Sequence, residues 1–204
     1  MVVFDLDGTL IDSSQALLEA HGAAFRAIGI QRPEASVILD LVGLPLTDTM
    51  RRLAPEYDAE FLAEVYSSAY VDAARTHERL FEGIQALLNR PFRAAVATGK
   101  SQRGAERAVA QHGLAERFEV VLGANSVARP KPYPDMLKVI MQATNTTELV
   151  MVGDTTYDLE MAAAAGVKGI GVAWGHHSVD RLKRWAHVAH TVDELSQMLE
   201  AIVD

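Results

Sequence analysis

The chain has 204 residues, and its 19 lysines and arginines against 27 aspartates and glutamates leave a formal charge of −8 at pH 7. This length suits one domain, or a core with a smaller domain inserted, because domains usually span about 50–250 residues. The absence of cysteine excludes disulfides. An acidic chain without a clustered basic stripe argues against a nucleic-acid partner, since phosphate contacts need Lys and Arg.

Short apolar runs predict a parallel sheet. These runs do not alternate with polar residues and end in Gly, Asp or Thr, which is typical of strands buried on both faces. Helix-like stretches follow the later runs, and this alternation predicts βαβ units. The predicted strands are residues 2–4, 92–97, 118–122, 149–152 and 169–173, and the predicted helices between them are 101–112, 132–144 and 157–165.

Residues 14–79 interrupt the alternation. They contain no strand pattern but four amphipathic helix patterns, at 15–28, 33–40, 46–53 and 59–74. The sequence therefore predicts an α/β fold, in which a doubly wound, Rossmann-like parallel sheet (1–13 plus 80–204) carries a small all-helical cap (14–79) inserted after the first strand. The order of the strands in the sheet cannot be derived from these patterns.

Two carboxylates, Asp5 and Asp7, come directly after the first predicted strand. Side chains at i and i+2 point to the same side of an extended chain, and ligands of open α/β sheets bind at the carboxyl ends of strands. Two such carboxylates repel each other unless a cation or a shared proton lies between them, and hard oxygen ligands suit Mg²⁺. The alternative is a plain Asp-Gly turn.

A second polar segment, Thr98 to Ser101, ends a predicted strand and opens a predicted helix. The free backbone N–H groups of a helix start, together with the Thr98 hydroxyl, can bind an anion. The segment is not a P-loop, because Ala94 stands where that motif needs its first glycine. A simple Thr/Ser helix cap is the alternative.

Lys131 is enclosed by prolines at alternate positions, 130, 132 and 134. The prolines stiffen the backbone and hold the lysine extended just before a helix. A lysine held in this way can neutralise a phosphate or a neighbouring carboxylate. The alternative is a solvated turn lysine.

Asp154 and Asp158 lie where another predicted strand leads into a helix. Asp154 sits near the helix cap and Asp158 one turn further on the same side. Asp154 could complete an oxygen shell with the first carboxylate pair. Capping alone would explain Asp154 but leaves Asp158 unexplained.

Taken together, these four constellations follow four strands in the order Asp-x-Asp, Thr, Lys and Asp…Asp. This order resembles the haloacid dehalogenase superfamily, in its phosphatase branch with a helical cap after the first motif, and the resemblance spans residue 5 to about residue 175. Within that branch the chain is most similar to the phosphoglycolate phosphatase group, through residues 80–84, 97–101, 131–134 and 172–175.

The resemblance implies a role for each of these residues. Asp5 would be the nucleophile that becomes an aspartyl-phosphate, and Asp7 the general acid and then the general base. Thr98 and the N–H of Gly99 would bind the phosphoryl oxygens, and Lys131 would neutralise them. The remaining roles concern the metal: Mg²⁺ would be held by Asp5, the Asp7 backbone carbonyl and Asp154, while Asp158 would hold that shell or Lys131 in place.

The resemblance further implies a cap that closes over the site and selects the substrate. We expect Gly43 and Leu44, in a Gly/Pro break between cap helices, to contribute, with Arg51 and Arg52 as anion anchors; an inter-helix turn followed by a solvated basic face is the alternative. The expected substrate is a small phosphorylated metabolite, with 2-phosphoglycolate as the leading candidate.

Two other functions share this fold. A β-phosphoglucomutase-like phosphotransferase would share every core motif, but the position of its cap histidine is Leu17 here, with His21 one helical turn later. A non-catalytic binding or regulatory protein is disfavoured by the intact set of motif residues.

The sequence also limits the setting in which the protein works. It starts without a basic and apolar leader, and no run of about 18 apolar residues occurs. We therefore expect a cytoplasmic monomer or homodimer that has no membrane partner.

Overall fold

The structure is a computed structural model and describes residues 1–203. Its strands are β1 (Val2–Phe4), β2 (Ile11–Asp12), β3 (Arg79–Leu80), β4 (Ala94–Ala97), β5 (Val120–Leu122), β6 (Val150–Gly153), β7 (Lys168–Val172) and β8 (His187–Ala189). Its α-helices are α1 (Ser14–Ala27), α2 (Ala35–Leu39), α3 (Leu46–Leu53), α4 (Ala59–His77), α5 (Ile84–Leu88), α6 (Gln102–Gln111), α7 (Asp135–Thr144), α8 (Thr156–Ala165), α9 (Val179–Leu182) and α10 (Val192–Val203).

Six strands form one parallel sheet in the order β5-β4-β1-β6-β7-β8. The chain moves outward from β1 through β4 to β5, and then returns to build β6, β7 and β8 on the other side. This reversal places a topological switch point between β1 and β6, where doubly wound folds bind their ligands. The predicted α/β fold class is confirmed.

The sheet register brings the polar segments together at one edge. Phe4 of β1 pairs with Val96 of β4 on one side and with Val152 of β6 on the other. The residues that follow Phe4 along the chain therefore leave the sheet beside those that follow Val96 and Val152. Because the three strands are parallel, the carboxyl ends of all three meet at this edge.

The two faces of the sheet are covered by separate apolar clusters, one packed around Phe4 and Val152 and the other around Val3 and Met151. Neighbouring residues of one strand contribute to opposite clusters because strand side chains alternate. Both faces are thus buried, which explains why the strands read as continuous apolar runs.

Helices α1 to α4 enclose an apolar cluster of their own. Its centre includes Phe25, Met50 and Leu62, all with almost no exposed surface. The short antiparallel ladder β2·β3 joins the two chain segments that lead into and out of these helices. Helix α4 starts at a capped position, because the Asp58 carboxylate accepts hydrogen bonds from the backbone of residues 60 and 61.

Several short elements escaped the sequence patterns. These are the ladder β2·β3, the edge strand β8 and the short helices α5 and α9. Each spans only two to five residues, which is too short to show a period.

Among residues 1–203, every helix is too short or too polar to span a membrane.

The packing of α4 predicts a large stability difference between two adjacent positions. Leu62 is fully buried in the helical cluster, whereas Phe61 is 45% exposed. Leu62→Ala should therefore lower the free energy of unfolding by about 2–5 kcal/mol, since it leaves a cavity. Phe61→Ala should change it by less than about 1 kcal/mol. Urea denaturation would measure both values, and equal losses would contradict the packing.

Candidate active site

Three buried carboxylates converge at the carboxyl edge of the sheet. Asp5 follows β1, Asp154 follows β6, and Asp158 lies in the first turn of α8. One ligand oxygen of each lies within 4.8 Å of the others. Within residues 1–203, Asp5 Oδ2 is buried and has no hydrogen-bond partner. An unpaired oxygen in an all-oxygen cluster fits a hard divalent cation such as Mg²⁺.

Lys131 supplies the positive charge of this cluster. Its Nζ lies 3.0 Å from Asp5 Oδ1 and 2.5 Å from Asp158 Oδ1, and its side chain is fully buried. Burial alone would lower the pKa of Lys131, but the charges of Asp158 and Asp5 outweigh it and raise that pKa. Burial raises the pKa of Asp5 to about 8, although Lys131 acts in the opposite direction. A bound cation would remove this cost of charging Asp5.

Asp154 is held as a carboxylate by donors on both oxygens. Thr9 donates to Oδ1 at 2.9 Å, and the backbone N–H of His176 donates to Oδ2 at 2.8 Å. The His176 ring Nδ1 is also 2.8 Å from Oδ2. Burial alone would raise the pKa of Asp154, but the bonds from His176 and Thr9 outweigh it and lower that pKa. Asp154 is therefore ionised and ready to bind a cation.

The backbone around Asp154 leaves no room for side chains. A Cβ at Gly175 would lie 2.2 Å from Asp154 Cβ, and a Cβ at Gly8 would lie 2.2 Å from Asp154 Oδ2. These close approaches explain why glycine stands at both positions.

Asp158 has two functions at once. One oxygen, Oδ2, accepts hydrogen bonds from the Thr155 N–H at 3.1 Å and from its hydroxyl at 2.7 Å, which caps α8. The other oxygen faces Lys131. Helix capping therefore orients the Asp158 carboxylate, which in turn positions Lys131. These two contacts explain the presence of Asp158, for which the sequence pattern gave no reason.

Thr98 and Gly99 lie at the end of β4, beside Asp5. Thr98 is fully buried, and its N–H donates to the Leu122 carbonyl at 3.0 Å. Ser101 caps α6 by accepting from the Gly104 N–H at 3.2 Å. A Cβ at Gly99 would lie 2.6 Å from the carbonyl oxygen of Gly43, so the loop before α3 packs directly on this turn.

Asp7 lies apart from the three-carboxylate cluster. Its Oδ1 lies 3.0 Å from Lys100 Nζ, and this lysine also contacts Tyr70 and Glu78. The sequence patterns did not single out these three partners. Burial alone would raise the pKa of Glu78, but the nearby His112, the Lys100 charge and a hydrogen bond from Tyr70 lower it to about 2.

A cavity of about 450 Å³ lies between the helical cluster and the sheet edge. Asp5, Asp7 and Thr98 line its floor. The opposite wall is largely apolar and includes Gly43 and Leu44. Cavities of this size hold small organic ligands.

The cations of the cavity differ from those expected. Arg51 is more than half exposed and pairs with Asp48 at 2.9 Å and with Glu60 at 2.7 Å, and neither it nor Arg52 lines the cavity. Arg51 does not reach the cavity because Asp48 and Glu60 lie on the same surface of the helical cluster and hold its side chain there. Arg103 and Arg107 on α6 line the cavity instead. Their i,i+4 spacing on an amphipathic helix was the available signal.

A sequence model described as haloacid dehalogenase-like hydrolase matches residues 2–172. The chain belongs to this family. The expected family is thereby confirmed.

Three relatives show how widely such chains differ in name. Probable phosphatase IndB of Dickeya dadantii is 33% identical over 98% of this chain and 92% of its own length. Phosphoglycolate phosphatase of Vibrio vulnificus is 29% identical over 100% and 96%. Tyrosine-protein kinase PtkA of Mycobacterium tuberculosis is 33% identical over 98% and 72%. A solved PtkA structure superposes with a TM-score of 0.79 at 32% identity, covering 97% of this chain and 96% of that one. The phosphatase relatives support an enzyme of the phosphatase branch.

The geometry of the carboxylate cluster predicts that Mg²⁺ stabilises the protein. Saturating Mg²⁺, at about 100 times its dissociation constant, should add about 2.7 kcal/mol to the free energy of unfolding. At one fixed Mg²⁺ concentration the gain should be larger at pH 8 than at pH 6, because binding needs the Asp5 carboxylate, whose raised pKa favours the protonated metal-free form below about 8.

Thermal melting in MgCl₂ and in EDTA would measure this gain. Asp154→Asn should abolish it, whereas Asp72→Asn, whose side chain is 84% exposed on α4, should keep it. A Tm that does not respond to Mg²⁺ in the wild-type protein would contradict the assignment of the cluster.

Proposed function

We propose that the protein is a Mg²⁺-dependent phosphatase that hydrolyses a small phosphate monoester through an aspartyl-phosphate on Asp5. The observation that carries this proposal is the position of Asp5. It lies on the cavity floor, its Oδ1 lies beside Lys131, and its Oδ2 has no hydrogen-bond partner in the described part of the chain. Phosphoryl transfer needs mainly positioning and charge neutralisation, which these neighbours supply.

The proposed reaction has two steps. Asp5 attacks phosphorus while Asp7 gives a proton to the leaving alcohol; Asp7 then takes a proton from the water that cleaves the aspartyl-phosphate. Thr98 and the Gly99 N–H hold the phosphoryl oxygens, and Lys131 offsets their charge. Asp5, the Asp7 backbone carbonyl and Asp154 would hold Mg²⁺, which adds positive charge beside the transferred group when bound.

We assign the cap to residues 14–79 and the core to residues 1–13 and 80–204. The support is that α1 to α4 have their own apolar cluster and that the cavity lies between this cluster and the sheet edge. In this arrangement the cap excludes water from the reacting groups.

The leading substrate is 2-phosphoglycolate. The Vibrio vulnificus relative carries this activity in its name. In addition, Arg103 and Arg107 line the cavity, and neither forms an ion pair within residues 1–203. Two unpaired cations beyond the phosphate site suit a substrate with a second anionic group, such as the carboxylate of 2-phosphoglycolate.

Phosphate release from a panel of compounds tests the reaction. The panel contains 2-phosphoglycolate, sugar phosphates, nucleoside monophosphates and pyrophosphate, each with Mg²⁺ or with EDTA. We expect metal-dependent turnover, and a loss of at least about 10³-fold in Asp5→Asn, because the nucleophile is removed. Absence of release from every compound would overturn the phosphatase proposal. Interconversion of sugar phosphates without release would favour a mutase.

Arg107→Met tests the substrate. We expect kcat/KM for 2-phosphoglycolate to fall about 10- to 100-fold, because a bond to a charged group is lost. Ethyl phosphate, which replaces the carboxylate with a methyl group, should be unaffected by the same change. Arg51→Met is the matched control and should leave both values unchanged. If Arg51→Met lowered kcat/KM for 2-phosphoglycolate more than Arg107→Met did, the carboxylate of the substrate would bind at Arg51 and not on α6, and the proposal would be wrong.

A further inference from the structure

A buried ionic cluster connects helix α4 of the proposed cap to Asp7, in the loop after β1. Lys100 Nζ lies 3.0 Å from Asp7 Oδ1 and 3.4 Å from Glu78 Oε1, and it donates to the Tyr70 hydroxyl at 2.7 Å. The Tyr70 hydroxyl in turn donates to Glu78 Oε1. The side chains of Lys100 and Asp7 are each 9% exposed, and that of Glu78 is 1% exposed. Burial of this many charged groups is costly unless each has a partner, so the cluster is held as a unit.

The members of the cluster come from elements that a moving cap would separate. Lys100 lies in the loop between β4 and α6, and Asp7 follows β1, so both belong to the sheet edge. Tyr70 lies in α4, and Glu78 is the residue between α4 and β3 where the chain returns from the helical cluster. The contacts of Lys100 to Tyr70 and Glu78 therefore exist only while α4 is docked.

Glu78 is anchored on the opposite side by α6. Its Oε2 lies 3.6 Å from His112 Nε2 and accepts from Gln111 Nε2 at 3.4 Å. Gln111 Nε2 also donates to the Ala74 carbonyl of α4 at 3.1 Å. The C-terminal turns of α4 and α6 are thus joined, and both sides of Glu78 are fixed.

Lys100 can orient Asp7 because it occupies only one of the two carboxyl oxygens. With Nζ at Oδ1, the other oxygen, Oδ2, is left to carry the proton, and Asp7 lines the cavity. In the proposed reaction the Asp5–phosphorus bond forms and the bond from phosphorus to the alcohol oxygen breaks, while the proton moves from Asp7 to that oxygen. The ammonium of Lys100 stabilises the carboxylate that Asp7 then becomes.

We propose that Lys100 is a positioning residue for Asp7, and that Glu78 and Tyr70 make this positioning depend on the docked cap. The inference rests on the proposed phosphatase reaction. It couples closure of the cavity to alignment of the proton donor, so that an open site does not transfer phosphoryl groups efficiently.

Two phosphate esters with different leaving groups test the proposal. Ethoxide is a poor leaving group and needs a proton from Asp7, whereas 4-nitrophenolate leaves without one. Lys100→Met should therefore lower kcat/KM for ethyl phosphate about 10- to 100-fold, a part of what general acid catalysis contributes. It should lower kcat/KM for 4-nitrophenyl phosphate less than about threefold. Using kcat/KM confines the comparison to steps up to release of the leaving group.

Further variants separate positioning from a structural role. Lys100→Arg should recover part of the lost ethyl phosphate activity, because it keeps the charge. Thr98→Ala should lower both esters by the same factor, since phosphate binding serves both. Lys138→Met, at an exposed position of α7, should change neither. Glu78→Gln and Tyr70→Phe should reproduce the selective loss to a smaller degree, and they carry the test if Lys100→Met does not fold.

The outcomes distinguish the inference from the proposed function. An equal loss on both esters in Lys100→Met, or no loss on either, would overturn the positioning role while leaving the phosphatase reaction intact. Hydrolysis of neither ester by the wild-type protein in Mg²⁺ would overturn the phosphatase reaction and this inference with it. The Mg²⁺-dependent gain in Tm should persist in Lys100→Met, which shows that the metal cluster is undisturbed.

Discussion

The balance of buried charge at the end of β1 is the constraint on which the rest of the structure depends. Asp5, Asp154 and Asp158 lie within a few ångström of one another, with Lys131 as their cation. Carboxylates without exposure to water repel strongly, and one ammonium does not neutralise three of them. Burial raises the pKa of Asp5, and the charges of Asp158 and Asp154 raise it further. A divalent cation bound between the carboxylates would neutralise their excess negative charge, so the geometry of the site favours metal binding.

The second constraint is the close contact between cap and core. Backbone of the loop at Gly43 packs on Gly99, at a distance that admits no Cβ. At the C-terminal end of α4, the cluster around Lys100 and Glu78 joins α4 to the sheet edge and to α6. One contact lies at the turn of Thr98 and Gly99, and the other lies at Asp7. In the proposed reaction, docking of these helices would act on phosphate binding and on proton transfer at once.

The two walls of the cavity differ in polarity. The helices α1 to α4 and the loops between them contribute mostly apolar surface, including Leu44, although Glu64 also lines the cavity, whereas the sheet edge and α6 contribute most of the charged groups. The arginines that line the cavity, Arg103 and Arg107, lie on α6, which begins three residues after Gly99. In the proposed function, anion binding by α6 would keep the anion-binding groups in fixed relation to Asp5, and the helices α1 to α4 would limit the size and polarity of the leaving group.

The sequence by itself determined five of the six strands of the parallel sheet and the polar residues that follow them. Asp5, Thr98, Lys131 and Asp154 could be singled out because each follows a local pattern, and parallel strands bring their carboxyl ends to one edge. Tertiary structure alone decided the strand order and the contacts between distant segments. His176 reaches Asp154, Glu78 reaches Lys100, and Arg51 of α3 pairs with Glu60 of α4. Such contacts join residues that share no local period, so they exist only once packing has fixed the relative positions of their elements.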